Sequence, residues 1–196
     1  MKLILASSSP RRAELLRGAG ITFEVYAPKV EEIRLPNEPV EKMVARFAEA
    51  KARAVAESVG EKNRTIIVGA DTAVELDGAI FGKPRDAVDA REMLSYLSGR
   101  THYVLSGIFT LRLPDGATRS AVERTAVTFA PLDPNEIEAY VTSGEPFDKA
   151  GGYAVQGRAG RYIPRIDGCY FNVVGLPLAR LHALLAELGW RDDGQA

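Results

Sequence analysis

Six consecutive residues, Ser7-Ser8-Ser9-Pro10-Arg11-Arg12, put three hydroxyls and two guanidinium groups into one short stretch. The apolar run Leu3-Ile4-Leu5-Ala6 before them predicts a buried strand. Pro10 predicts the first helical residue, where a missing N–H costs nothing, and Ser9 then falls at the N-cap. Arg11 and Arg12 occupy the first turn, where free backbone N–H groups already carry partial positive charge. Two cations there have the unfavourable sign, each by roughly 0.3–1 kcal/mol. An anion resting on the turn would remove the conflict, because hydroxyls, helix N–H groups and guanidinium forks together make a phosphate cradle. The alternative is a pair of solvated arginines. Arg12 lies three, four and seven residues before Leu15, Leu16 and Ala19, the apolar stripe of the helix, so it points along the buried face.

Further along, Glu31 and Glu32 sit side by side on a loop, either as ordinary surface acids or as ligands. Lys51 falls on the apolar stripe of a helix, four residues from Phe47 and four from Val55. It can snorkel to the surface or deliver its ammonium into a cleft. The apolar run Thr65-Ile66-Ile67-Val68 leads into Gly69-Ala70-Asp71-Thr72, and a carboxylate at the end of a buried strand is costly without a partner. Asp77-Gly78 is a two-residue hairpin signal. Counting back from it pairs Leu76 with Ala79, Val74 with Phe81 and Thr72 with Lys83, which would bring an ammonium beside Asp71-Thr72. That grouping reads either as a structural ion pair or as part of a site. In the glycine-rich stretch from Gly144 to Gly160, Asp148, Lys149 and Gln156 are the polar side chains best able to read a small molecule, on a backbone that glycine lets come close to a ligand.

The elements that must position these residues follow from periodicity and breakers. Strands are predicted at Leu3–Ala6, Phe23–Tyr26 and Thr65–Leu76, the last interrupted at its middle, and over a long hairpin at 101–113 and 118–129. In that hairpin Tyr103, Leu105, Phe109, Leu111 and Leu113 alternate onto one face. Further strands are expected at Tyr162–Ile166 and Cys169–Val173. Helices are predicted after Pro10, from Pro39 to about Ser58, at Ala87–Leu97, from Pro134 to Val141, and after Pro177, with Leu181, Leu184, Leu185 and Leu188 as the core face of the last.

Composition narrows the classes. The chain has 196 residues, 46% of them hydrophobic, which suits one domain or two small lobes. With 25 basic and 26 acidic residues there is no global field for nucleic acid or an acidic membrane, so anion binding must be local. Cys169 is the only cysteine, which excludes a disulfide framework and argues against a Cys-based metal site. The two histidines, His102 and His182, have no metal-ligand or triad arrangement around them and are read as structural. No stretch approaches the roughly 18 apolar residues of a membrane span and no signal pattern opens the chain, so the expected compartment is the cytoplasm.

No Walker-type or GxGxxG signature is present, and no Cys/His or Ser/His/Asp set supports covalent catalysis. Cations together with carboxylates fit hydrolysis of a polyphosphate with a divalent metal: arginine and lysine offset phosphate charge, acids hold Mg²⁺ or Mn²⁺, and one acid activates water. Ala6-Ser7-Ser8-Ser9-Pro10-Arg11-Arg12, Gly69-Ala70-Asp71-Thr72, Gly82-Lys83-Pro84 and Asp148-Lys149-Ala150-Gly151 resemble the signature segments of the Maf family of nucleoside triphosphate pyrophosphatases, in order and over nearly the whole chain. Ser8 stands where many members have glycine. The resemblance implies an α/β fold, a mixed twisted sheet with flanking helices in two lobes around a central cleft, similar to inosine triphosphate pyrophosphatases. One catalytic domain would cover residues 1–190, with 191–196 a loose tail.

It further implies cleavage between the α and β phosphates with a divalent metal, Mg²⁺ or Mn²⁺, and a homodimer. Asp71 would be the proton acceptor. Arg12, Thr72 and Gln156 would govern substrate choice, and Ser7, Glu32, Lys51 and Lys83 would belong to the substrate and metal site, with Arg11 a phosphate clamp. Asp71 is open to three roles, as base, metal ligand beside Glu32, or both in turn. Tyr153-Ala154-Val155-Gln156-Gly157 resembles the branch acting on dTTP and UTP. The chemistry agrees, because uracil and thymine present an N3–H donor beside an O4 acceptor and a glutamine amide offers the complementary pair in one plane. The implied role is removal of non-standard pyrimidine nucleotides. A pyrophosphatase for a modified purine triphosphate and a non-catalytic nucleotide-binding regulator of cell division are the alternatives.

Overall fold

Continuous apolar runs become the central strands of a mixed sheet. The computed structural model describes residues 1–59 and 64–191. Strands β1 (Lys2–Ala6), β2 (Glu24–Tyr26), β3 (Thr65–Leu76), β4 (Ala79–Phe81), β5 (Thr101–Leu113), β6 (Thr118–Thr128) and β7 (Arg165–Asp167) form one seven-stranded sheet in the order β2-β1-β3-β5-β6-β7, with β4 on β3. β1 runs parallel to both β2 and β3, whereas β4 and β7 pair antiparallel. The helices are α1 (Pro10–Gly18), α2 (Val40–Val59), α3 (Ala87–Leu97), α4 (Pro134–Thr142), α5 (Tyr170–Val174) and α6 (Leu178–Glu187). The chain divides into two compact units. One holds Met1–Asp71, Ser106–Glu123 and the chain from Gly175 on, and the other Thr72–Leu105 and Arg124–Val174.

In the first unit, α2 lies very close to the strands. A Cβ on Gly69 would fall 2.0 Å from the Ala48 carbonyl oxygen, and one on Gly107 would fall 2.3 Å from that of Val44. Hydrogen alone fits at either site, so helix backbone touches strand backbone. Ala48, Ala52, Val55 and Val59 then pack on Ile4, Ala6, Ile67, Phe109 and Leu111. Gly69→Ala is expected to lower stability by about 3 kcal/mol, the upper end for overpacking, measured by urea denaturation. A change below about 0.5 kcal/mol, the range of ordinary surface substitutions, would mean that the helix can move away without cost.

In the second unit, α3, α4 and the segment after α4 enclose Val104, Val127, Phe129, Tyr140, Tyr153 and Tyr162. His102 is fully buried here, its Nε2 2.7 Å from the Tyr153 hydroxyl, with Phe129 edge-on to both rings. Burial pushes its pKa down to about 4, so the imidazole is neutral at physiological pH. His182 is exposed on α6.

Three expectations are corrected. β3 runs unbroken from Thr65 to Leu76 rather than pausing at Asp71. The hairpin register Leu76–Ala79 and Val74–Phe81 is the observed one, but the ladder ends at Phe81, so Thr72 and Lys83 are not a cross-strand pair, and Lys83 is exposed. The alternation along β5 is not overturned, but the intervening His102, Val104, Ile108 and Thr110 are buried as well, so the strand is covered on both faces over most of its length. Cys169–Val173, rich in strand-forming types, contributes instead to α5, and the strand expected at Tyr162–Ile166 narrows to β7. Tertiary bonds anchor α5: Asn172 Nδ2 donates to the Val104 carbonyl at 2.9 Å and to Thr125 Oγ1 at 3.0 Å. Residues 192–196 of the expected tail lie outside the described residues.

Candidate active site

β1 ends at Ala6, paired with Gly69 of β3, and delivers Ser7 to a buried position at the end of the strand. Ser9 occupies the N-cap position of α1, but its hydroxyl makes no cap bond. The Ser7 hydroxyl organises the turn instead, accepting from the Ser9 N–H at 3.1 Å and from Arg12 Nη1 at 3.1 Å. No acid lies in the first turn of α1.

Arg12 points inward, as its place on the stripe predicts, and is only 8% exposed. Its Nε donates to the Gly175 carbonyl at 2.9 Å and its Nη1 to the Ala70 carbonyl at 2.9 Å. Burial opposes its charge, and the nearby carboxylates of Asp71 and Glu32 support it. Arg12 therefore joins the β1–α1 turn, β3 and the start of the C-terminal segment. Arg11 is half-buried in the same turn. Arg12→Ala would leave two buried carbonyls without their donor, and an expected loss of about 2–4 kcal/mol is measurable in the same denaturation assay. Arg12→Lys should recover only part of it, because an ammonium cannot reproduce the fork.

The close seat of α2 explains the next grouping. Gly69 and Asp71 are two residues apart on β3 and so share a face. Ala48 and Ala52 cover Gly69, and Lys51, on the same stretch of helix, reaches Asp71. Lys51 Nζ lies 2.5 Å from Asp71 Oδ1 and 2.7 Å from Glu32 Oε1. Lys51 and Asp71 are each 8% exposed, whereas the Glu32 side chain is half-open to solvent. Burial raises the Asp71 carboxyl above the ordinary carboxylate value, and the charge of Lys51, its hydrogen bond and Arg12 pull the other way without cancelling it. Two carboxylates thus converge on one cation. Among the described residues no cluster of three or more acid, histidine or cysteine side chains suits a metal. This pair of carboxylates is of the right chemistry to hold a hard divalent ion, with most coordination positions left to other oxygen ligands.

The first unit brings together Ser7, Arg12, Glu32, Lys51 and Asp71. Arg11 lies in that unit too, and the other predicted residues belong to the second. Thr72 is half-buried on β3, Lys83 is exposed beyond β4, and Gln156 is exposed on a turn closed by the bond from Gly157 N–H to the Ala154 carbonyl at 3.1 Å. Asp148 and Lys149 form an ion pair with each other. The sequence reading missed the Gly175 carbonyl, which is backbone and carries no residue-type signal, and the role of Gly69, whose only trace is a glycine in a buried strand.

The architecture defined here is a mixed-sheet α/β fold with flanking helices. The Staphylococcus aureus Ham1 protein shares it at 14% identity, over 96% of this chain and 100% of that one, with a TM-score of 0.51. The family model described as Maf-like protein matches residues 2–188, and the chain belongs to that family. It is 45% identical to a Carboxydothermus hydrogenoformans protein named dTTP/UTP pyrophosphatase, over 97% of this chain and 100% of that one. A Symbiobacterium thermophilum protein of the same name is 49% identical, over 96% and 95%.

Proposed function

We propose that the protein is a nucleoside triphosphate pyrophosphatase that hydrolyses dTTP and UTP to the nucleoside monophosphate and pyrophosphate, and so removes non-standard pyrimidine nucleotides. One observation carries the chemistry: Asp71 is a buried carboxylate held between an ammonium and the edge of the cradle built on Ser7 and Arg12. The substrate class rests on the names of relatives at 45% and 49% identity and on the Gln156 amide.

Ser7, Arg11, Arg12, Lys51 and Lys83 would bind the phosphates and offset their charge. Asp71, raised by burial toward the pH at which it works, accepts a proton from the attacking water. The water oxygen joins phosphorus, the bond between the α and β phosphates breaks, and pyrophosphate leaves. Glu32 and Asp71 would hold Mg²⁺ or Mn²⁺, which supplies a Lewis acid for the phosphate oxygens when bound. Lys51 could then exchange its carboxylate partners for phosphate oxygens. Gln156 reads the base, and Thr72 and Arg12 contribute to that choice.

A panel of triphosphates with pyrophosphate detection tests the reading. Fastest release from dTTP and UTP supports it. Faster release from a modified purine triphosphate, or binding without turnover in Mg²⁺ or Mn²⁺, overturns it. The reading extends to a cytoplasmic homodimer, which sedimentation and fractionation test. No described helix is long and apolar enough to cross a membrane.

A further inference from the structure

Beyond the predicted site residues, Tyr140 and Glu145 are arranged around the turn that carries Gln156. α4 ends at Thr142, and Gly144, at a φ of 76°, turns the chain back. The Glu145 carboxylate then folds over the end of its own helix, where it accepts the Tyr140 hydroxyl at 3.0 Å. The same carboxylate accepts the Arg158 N–H, at 3.0 Å to Oε1 and 3.2 Å to Oε2. Tyr140 is only 1% exposed, so its ring is fixed by the core. Burial together with Glu145 keeps the phenol protonated and able to donate.

Ala154 and Arg158 flank the turn, with Gln156 as its third residue. One tyrosine–glutamate pair therefore holds the Arg158 end of a turn whose apex is exposed, and the bond from Gly157 N–H to the Ala154 carbonyl closes the turn on itself. Gly157 shows how tight the hold is, since a Cβ there would lie 2.0 Å from Glu145 Oε1. The Glu145 carbonyl in turn accepts Lys149 Nζ at 2.5 Å, which ties the start of the segment down. A side chain that must present a donor and an acceptor to one base edge gains selectivity only if its backbone does not move.

We infer that Tyr140 and Glu145 are positioning residues for base selectivity, acting through the Ala154–Arg158 turn on Gln156. This rests on the reading that Gln156 contacts the base. Neither Tyr140 nor Glu145 is assigned to the phosphates or to the attacking water, and their effect is on which base is accepted.

The test compares kcat/KM for dTTP and dCTP in wild type, Tyr140→Phe, Glu145→Ala, Glu145→Gln and Gln156→Ala. Tyr140→Phe keeps the ring in the core and carries the test if Glu145→Ala does not fold. Tyr140→Phe and Glu145→Ala are expected to lower the dTTP:dCTP ratio roughly tenfold, mainly by raising KM for dTTP, with the dCTP value nearly unchanged. Glu145→Gln retains an acceptor for the Arg158 N–H and should keep most of the ratio. Adding Glu145→Ala to Gln156→Ala should change the ratio no further, since both act on one contact. Equal losses on both substrates, or none, would reduce the pair to a structural role and overturn the inference. If Gln156→Ala collapses the ratio while the Tyr140 and Glu145 variants keep it, the inference alone fails. If Gln156→Ala leaves the ratio intact, the base-reading role fails, and the inference with it.

Discussion

Asp71→Asn is expected to lower kcat by roughly 10²–10⁴-fold, the usual share of a general base, in a protein that melts no lower than wild type in EDTA. The first half follows from the proposed role of Asp71 as proton acceptor, which asparagine removes while keeping the shape. The second follows from the sign of the pKa shift. Burial raises the Asp71 carboxyl above its unfolded value, so the folded state holds that proton more strongly than the unfolded chain does. The resulting advantage is complete below the unfolded pKa and is lost as pH rises through the raised one. At neutral pH the ionised aspartate is therefore a net cost to the metal-free fold, and asparagine removes it. Lys51 is not stranded by the change, because Glu32 remains 2.7 Å away. Melting curves of the two proteins should diverge in favour of the asparagine variant as pH rises above the ordinary carboxylate range and through the raised value. Undiminished pyrophosphate release from the variant would remove Asp71 from the role of base, and a much lower melting temperature would make it a structural ion-pair partner.

Gln156→Glu should separate activity from stability in the other unit. The side chain is exposed, so its replacement is expected to alter stability by no more than about 0.5 kcal/mol. Against the base the change is severe. An amide supplies one donor and one acceptor, whereas a carboxylate only accepts, and it would face the O4 oxygen of uracil or thymine with a second acceptor. Loss of one hydrogen bond and creation of one repulsive contact together predict a fall of about a hundredfold in kcat/KM for dTTP and UTP, equivalent to roughly 2.7 kcal/mol. Cytosine presents an N4 amine to the same position and can donate to the carboxylate, so the relative preference should move toward dCTP. Steady-state kinetics with the three triphosphates, alongside a thermal melt, checks both parts. Parallel losses of turnover and stability would make the glutamine a structural residue.

The ease with which these features were legible in the sequence follows their physics. The inward direction of Arg12 came from its spacing to Leu15, Leu16 and Ala19, and helical periodicity does not depend on what the helix meets. Lys51 could be placed on the apolar stripe for the same reason. Its partners could not be chosen, because the approach of α2 to β3 depends on the space at Gly69, which only tertiary packing reveals. The hairpin register was readable back from Asp77-Gly78 for as long as the ladder lasts. Its end at Phe81 was not readable, since Gly82 and Pro84 permit several exits. Cys169–Val173 misled because aromatic and β-branched residues favour a strand locally, while the observed helical turn seats the buried Asn172 amide on Val104 and Thr125, partners far away in the sequence. Glu145 escaped notice because its importance lies in backbone N–H groups more than ten residues away, at Arg158.

The ammonium of Lys51, between Glu32 and Asp71, has a consequence for how the protein is made. Many sites built from converging acids repel themselves until an ion arrives, so the chain cannot mature without it. Here a side chain of the protein already sits between the acids as a resident counter-ion. With the ammonium in that place the two acids do not face each other unscreened, so the fold of this region does not depend on an ion to bring them together.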